Sequence, residues 1–439
     1  MKKENRKKLR NQVFYQIFVR NYKAGTFQAV EQDLDRIRRL GADWIYLLPI
    51  HPTGEKNRKG TLGSPYAIRD YRAVDPSLGT LEDFVSLCDA AHQMGLKVMM
   101  DVVYNHTSPD SVLAKTHPEW FYHRADGSMG NRVGEWWDVV DLDYSHEELW
   151  EYQIDTLKFW ANYADGFRCD VAEMLPGEFW CRAAEEVSRV NPDCVWLAES
   201  GELEFVSALR HMGIPALSDG ELYQSFDICY DYDVYPWQKA VQLGRGTLKE
   251  YVREVMRQEA IYPDDAVRLR FLENHDRPRA ASLIPDHTAR LSWMAWSFFA
   301  KGAVLVYMGQ ESGERQHPGL FDLCPVFPGR EGDDSAFLAK LSELKQDPLF
   351  ADCDMMVKAS GKTESLLIAE LTGRIGSETE GRKAVGIFPL DGISQAAETD
   401  LPDGIYTDAL SGREIEVFEG VLLCEGMPLI LFAQSRLAA

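Results

Sequence analysis

Residues 164–200 read ADGFRCDVAEMLPGEFWCRAAEEVSRVNPDCVWLAES, and this stretch decides the fold. It begins and ends on short apolar runs, ADGFRCD (164–170) and CVWLAES (194–200), joined by a helical pattern. Runs of that kind suit strands buried on both faces, as in a parallel sheet covered by helices. Each run also carries an acid at or next to its end, Asp170 in the first and Glu199 in the second.

The same unit recurs in both directions. Upstream, VFYQIFVR (13–20) reads as a first strand, DWIYLLPI (43–50) as a second and KVMMDVV (97–103) as a third. Between the first two, Phe27, Val30, Leu34, Ile37 and Leu40 are spaced as one helical face and predict a single helix ended by Gly41. Thr80 with Asp83 predicts a capping-box start to the next helix, which Gly95 ends. Downstream, SFDICYD (225–231), VRLRFLEN (267–274) and AVLVYMG (303–309) complete eight strands. Eight strands separated mostly by helical patterns predict an α/β fold, a closed (β/α)₈ TIM barrel rather than an open sheet.

Two regions break the rhythm. Residues 107–142, after the third strand, are rich in His, Trp, Asp and Gly and read as a short inserted subdomain. After about residue 350 the runs SLLIAEL, AVGIFPL, EIEVFEG and GMPLILF alternate with turn residues, which predicts a C-terminal all-β sandwich. The expected organisation is therefore a (β/α)₈ barrel over 1–350 and a β-sandwich over 351–439.

Composition narrows the function. A formal charge of −22 argues against nucleic acid or an anionic membrane as the main partner and is compatible with a neutral substrate. The basic start MKKENRKKLRNQ is followed by no apolar segment like that of a secretory signal, and no run of about 18 apolar residues occurs. The eight cysteines form no CxxC pair, and Cys88, Cys169, Cys194 and Cys229 sit in apolar patterns. Together these features predict a cytoplasmic protein with reduced, buried thiols.

In a parallel barrel, chemistry gathers at the C-terminal ends of the strands. Those ends carry Asp101 with Asn105–His106, Arg168 with Asp170, Glu199, and Asn274–His275–Asp276. Arg168 and Asp170 are two apart, so they point to the same side of their strand, and the cation favours an ionised Asp170. Glu199 ends the next strand, about 4.8 Å away. That spacing permits the roughly 5–5.5 Å carboxyl separation of a retaining glycosidase. The VWLA preceding Glu199 predicts a surrounding apolar enough to keep it protonated as the acid.

These residues resemble those of the α-amylase superfamily, glycoside hydrolase family 13. DVVYNH (101–106), GFRCDVAE (166–173), LAES (197–200) and FLENHD (271–276) match its four main motifs in order, and SPYAIRDY (64–71) and VYMGQE (306–311) match flanking ones. The resemblance runs from FYQIFVRNY to about residue 350. It implies that Asp170 is the nucleophile of a covalent glycosyl-enzyme, Glu199 the proton donor and later base, and Asp276 the third acid, gripping sugar hydroxyls. It also implies substrate binding by Tyr66, Asp101, His106, Arg168 and His275, with Arg168 orienting Asp170 and Tyr66 offering an aromatic face.

Two departures bear on specificity. Many members carry Lys-His just after the nucleophile motif; here Glu173 and Met174 stand there, a residue type usually solvated and one usually core. The insert is also short for the family. In many members it binds structural calcium, for which Asn105 and Asp141 are the matching candidates. Trp136 and Trp137 read equally as sugar-stacking surfaces or as the insert's own core. The expected activity is hydrolysis of α-glucosidic bonds in malto-oligosaccharides or related α-glucans, soluble oligosaccharides being favoured over long chains. The alternatives are a transglycosylase with the same catalytic residues and, more remotely, a non-catalytic sugar-binding barrel.

Overall fold

The computed structural model of the chain describes residues 3–330, 333–360 and 364–434. Eight parallel strands among them close into a barrel: β1 (Val13–Ile17), β2 (Trp44–Leu47), β3 (Lys97–Val102), β4 (Gly166–Cys169), β5 (Val195–Ala198), β6 (Ile228–Tyr230), β7 (Val267–Phe271) and β8 (Ala303–Tyr307). Each strand pairs with its neighbours in sequence, and β8 returns to β1 in the register Val13↔Val304. Every strand expected from the apolar runs is present.

Strand alternation sorts the side chains into two cores. Phe14, Trp44, Tyr46, Met99, Leu197 and Ile228 fill the barrel interior. Their neighbours Ile45, Leu47, Val98, Phe167 and Cys169 pack outward against the helices. Full burial of an aliphatic or aromatic side chain is worth roughly 1.5–3 kcal/mol, so both layers stabilise the closed form. Thr80 and Asp83 exchange the two hydrogen bonds of a capping box at the start of helix Leu81–Gln93, and Gly95 follows its end at φ +75°.

One expected element differs. The helix read over Phe27–Leu40 is two helices, Phe27–Glu31 and Leu34–Arg39, broken at Gln32–Asp33. The buried Asp33 carboxylate explains the break: it binds Lys23 Nζ at 2.6 Å, Arg36 Nε at 2.9 Å and the Tyr22 hydroxyl. Three donors around one buried carboxylate outweigh the single turn of helix lost. The apolar spacing survives because both halves still face the barrel.

The segment after β3 contains a short helix, Val112–Thr116, and an antiparallel pair, His106–Thr107 with Val140–Asp141. The last helix is Ser335–Lys345, and antiparallel strands begin at Cys353. A four-stranded sheet (Cys353–Ser360, Leu366–Gly373, Arg382–Pro389, Leu429–Gln434) shares a core with two two-stranded ribbons through Ile368, Val385, Leu422 and Leu429. The sheet docks on the barrel where Phe388 meets Trp296 and Phe299 at ring distances of 5.7 and 5.4 Å. The outer limits expected for the two parts, residues 1 and 439, lie outside the described residues. Among the described residues, no helix is long and apolar enough to cross a membrane.

Gly41 joins the first βα unit to the last helix. Its φ is +82°, and a Cβ there would overlap the Ser342 side chain. Gly41→Ala is expected to cost about 1–3 kcal/mol through left-handed backbone strain and overpacking. Urea denaturation measures it, and Ser342→Gly should cost less in that background than in the parent. Equal costs would mean that the two positions do not interact.

Candidate active site

At the C-terminal mouth of the barrel, the registers Asp101↔Arg168 and Arg168↔Leu197 put a buried guanidinium level with its neighbours on β3 and β5. Arg168 has no solvent exposure. Its Nη1 donates to Asp101 Oδ1 at 2.7 Å and to Asp170 Oδ1 at 2.8 Å, and its Nη2 lies 2.9 Å from Glu199 Oε1. The last contact is an ion pair without hydrogen-bond alignment. One cation thus serves three carboxylates. Burial alone would lower the Arg168 pKa, but Asp101 and Glu199 outweigh it and hold the group charged.

The acids respond in kind. Burial pushes Asp101 up to about 6, with Arg168 opposing. Burial and then the charge of Glu199 push Asp170 well above the ordinary carboxylate range. Burial also raises Asp276. Glu199 does not occupy the apolar surrounding expected from VWLA: besides Arg168, its Oε2 accepts the Val171 N–H at 2.9 Å. Those four apolar residues line the strand itself, whereas the carboxyl stands beyond its end.

Val171 is strained to make that contact. It is β-branched yet sits at φ 37°, ψ 48°, in the left-handed region such residues avoid. The turn sets Asp170 and the Val171 amide toward the same cleft.

Behind the acids runs a chain of polar contacts. Gln16 Nε2 donates to His275 Nδ1 at 3.0 Å, which leaves the His275 proton on Nε2, 2.6 Å from the Tyr66 hydroxyl. Tyr66 and Tyr46 then both donate to Asp101 Oδ2, at 2.9 and 3.0 Å. Burial drives the His275 pKa well down and, for His106, down to about 3, so both rings are neutral. Asn105 Nδ2 donates to His106 Nδ1, which turns the protonated Nε2 toward Asp170 Oδ2, 3.8 Å away.

The expected residues therefore fall into two layers. Tyr66, His106, Asp170, Glu199 and Asp276 line an open cleft of about 410 Å³. Asp101, Arg168 and His275 stand behind it, at 1% exposure or less. Asp276 faces the cleft with a third of its side chain exposed, and its Oδ2 is 3.2 Å from His275 Nε2. Trp136 lines the cleft and packs on His106 at 5.4 Å, whereas Trp137 is exposed at the rim.

Glu173 corrects another expectation. It is buried rather than solvated, and its Oε1 lies where a Cβ on Gly201 would come within 2.6 Å. Burial first, then Glu199, pushes its pKa well up, as expected for a carboxyl shut in behind the loop of Glu199. Met174 packs in a small cluster with Val206, Leu209 and Ala216. Residue-type reasoning also missed Tyr46, Gln16 and Lys59. A hydroxyl inside the apolar run DWIYLLPI was the available signal for Tyr46; Lys59 lies in a polar loop with none.

Comparison with known proteins finds matches for both parts of the chain. The family model for the α-amylase catalytic domain matches residues 11–353, and that for the bacterial α-amylase C-terminal domain matches 375–431. The crystal structure of an α-amylase from Lactobacillus plantarum superposes with a TM-score of 0.93 at 46% identity, over 97% of this chain and 100% of that one. A maltogenic α-amylase from Thermotoga neapolitana superposes at 0.86 with 32% identity, over 98% and 100%. Among curated proteins, an α-1,4-glucan:maltose-1-phosphate maltosyltransferase from Myxococcus xanthus is 31% identical over 57% of this chain and 39% of its own length. The chain spans less than half the length of such relatives.

Arg168→Met tests the shared cation. Breaking a buried ion pair from one side costs about 3–5 kcal/mol. Without the guanidinium, Asp101 and Asp170 hold protons in the folded state to still higher pH, while the unfolded chain releases them near pH 4. The folded state then binds more protons across that window, and stability falls as pH rises through it. The deficit against the parent should be larger at pH 8 than at pH 5 in urea melts; equal deficits would show that the three carboxylates do not depend on this cation.

Proposed function

Because the chain belongs to the α-amylase family, we propose that it is a retaining α-glycosidase that hydrolyses α-glucosidic bonds in malto-oligosaccharides or related α-glucans. The observation that carries this reading is the placement of Asp170 and Glu199 at the ends of adjacent strands, on opposite nitrogens of one buried guanidinium, with both carboxyls facing a single cleft.

In this reading, an Asp170 oxygen attacks the anomeric carbon while Glu199 gives its proton to the departing glycosidic oxygen. The bond from carbon to that oxygen breaks as the ester to Asp170 forms. Glu199, now ionised, takes a proton from water, whose oxygen attacks the same carbon and releases Asp170. The chemistry needs Asp170 charged and Glu199 protonated together. Arg168 supports this assignment because its aligned hydrogen bond goes to Asp170, whereas its contact with Glu199 is unaligned and yields to a glycosidic oxygen. Asp276 faces the sugar from β7, and His106 offers its Nε2 proton to a sugar hydroxyl. His275, Tyr66 and Asp101 hold Arg168 in register.

The Myxococcus xanthus relative favours a second reading, in which a sugar hydroxyl replaces water as acceptor. Both readings use the same residues. Products from maltotriose separate them: glucose and maltose from hydrolysis, longer oligosaccharides from transfer. A cytoplasmic setting is supported by the eight cysteines, all free thiols, six of them buried.

Both residues expected for calcium are partly engaged within the protein, though Asp141 Oδ1 is buried without a hydrogen-bond partner. Asp141 Oδ2 accepts the Arg132 N–H at 2.7 Å and lies 3.6 Å from the Arg132 guanidinium, which already supplies the positive charge. The Asn105 amide nitrogen is turned to His106. Among the described residues, no group of three or more His, Cys, Asp or Glu side chains is arranged to hold a metal ion. Dialysis against EDTA and readdition of calcium should leave Tm within about 1–2 °C, whereas a bound ion would raise it by mass action. A rise of several degrees on adding calcium would place a metal in the structure.

Asp170→Asn and Glu199→Gln should each lower kcat on maltotriose by at least about 10³-fold, with the double variant little worse than either. Proton NMR of the first product should show the α-anomer before mutarotation. Retained activity in a single variant, or a β first product, would overturn the assignment.

A further inference from the structure

Three loops that follow different strands meet at one edge of the cleft. The loop after β2 carries Lys59, whose Nζ pairs with Asp138 Oδ1 of the insert after β3 at 2.7 Å. The same ammonium lies 5.2 Å from the Trp137 ring and 5.7 Å from the Phe321 ring, the latter in the loop after β8. Backbone contacts complete the junction: Thr61 N and Oγ1 donate to Asp322 Oδ1 at 2.9 and 2.8 Å, and Leu62 N–H donates to the Phe321 carbonyl at 2.9 Å. Gly60 lets the chains approach, since a Cβ there would come within 2.6 Å of Phe321 Cβ.

The barrel order makes this junction a wall on one side only. Strands β8, β1, β2 and β3 are consecutive around the mouth, and β5, which carries Glu199, lies on the other side. Glu199 protonates the departing oxygen, so the leaving sugar lies toward β5 and the retained sugar extends toward the junction. Lys59, Asp138 and Phe321 line the same cleft as Asp170 and Glu199. Its volume of about 410 Å³ is at the small end of the roughly 300–1,000 Å³ usual for ligand sites.

Resting on the glycosidase reading above, we propose that Lys59 is a specificity-determining residue. Its bridge to Asp138 closes the cleft on the side of the retained sugar, so the enzyme takes glucan chains by their free non-reducing ends. Lys59 is suited to this: with its side chain four-fifths buried and Asp138 still more so, the pair is shielded from the water that weakens surface ion pairs. Its ammonium reaches both the Trp137 and Phe321 rings as well as Asp138, which a shorter side chain would not.

The test compares two substrates, p-nitrophenyl α-maltoheptaoside with a free non-reducing end and the same compound capped there by a 4,6-ethylidene group, products being resolved by chromatography. The parent should cleave the free-ended compound at least about tenfold faster in kcat/KM. Lys59→Met keeps the stem but loses the charge, and Asp138→Asn removes the other partner. Each should raise the capped-to-free ratio several-fold, and Lys59→Arg should restore the parent ratio. Circular dichroism melts confirm folding, and because the readout is a ratio within one preparation, a loss of active fraction does not move it. A capped-to-free ratio near one in the parent, or one unmoved by Lys59→Met and Asp138→Asn, overturns the inference alone. Cleavage of neither compound by the folded parent overturns the glycosidase reading and this inference with it.

Discussion

Placing a full positive charge with no solvent exposure at the mouth of a barrel is costly unless anions surround it. Arg168 meets that condition with three carboxylates, and the rest of the site follows from it. Asp101 fills one corner so completely, with two tyrosines on its other oxygen, that it is unavailable for chemistry. Asp170 and Glu199 are left facing the opening with more negative charge than one guanidinium neutralises. Burial and the charge of Glu199 raise the Asp170 pKa while Arg168 opposes them, and acid-assisted displacement requires one protonated and one ionised group at such a site.

Much of this was legible in the residues. The eight apolar runs gave the eight strands because a strand buried on both faces leaves no ambiguity of side. The acids at their ends were legible because a parallel barrel exposes its strands at one mouth. What failed depended on contacts between segments far apart in the chain. Asp33 breaks a helix that its apolar spacing predicts to be continuous, since its partners Tyr22 and Lys23 precede the helix. Glu173 read as solvated because glutamate usually is, yet the fold of the next strand's loop covers it. The apolar run before Glu199 described the strand rather than the space beyond it.

The polar chain from Gln16 through His275 and Tyr66 to Asp101 shows why such contacts escape a linear reading. Its members come from β1, the loop after β2, the end of β3 and the end of β7. None is unusual in its own segment. Their joint effect is to fix the proton positions of a histidine and two tyrosines, so that Arg168 meets its carboxylates with little freedom to relax. An electrostatic site that need not reorganise when charge moves stabilises a transition state better than a flexible one.

The order of strands around the barrel has a consequence for descent with modification. Asp170, Glu199 and Asp276 lie on the arc from β4 to β7, while the loops joined through Lys59 lie on the arc from β8 to β3. Substitutions at Lys59 and Asp138 reshape which sugars enter without touching Arg168 or its three carboxylates. Genes for this architecture can therefore diverge in diet while conserving chemistry, through substitutions in loops rather than in barrel strands.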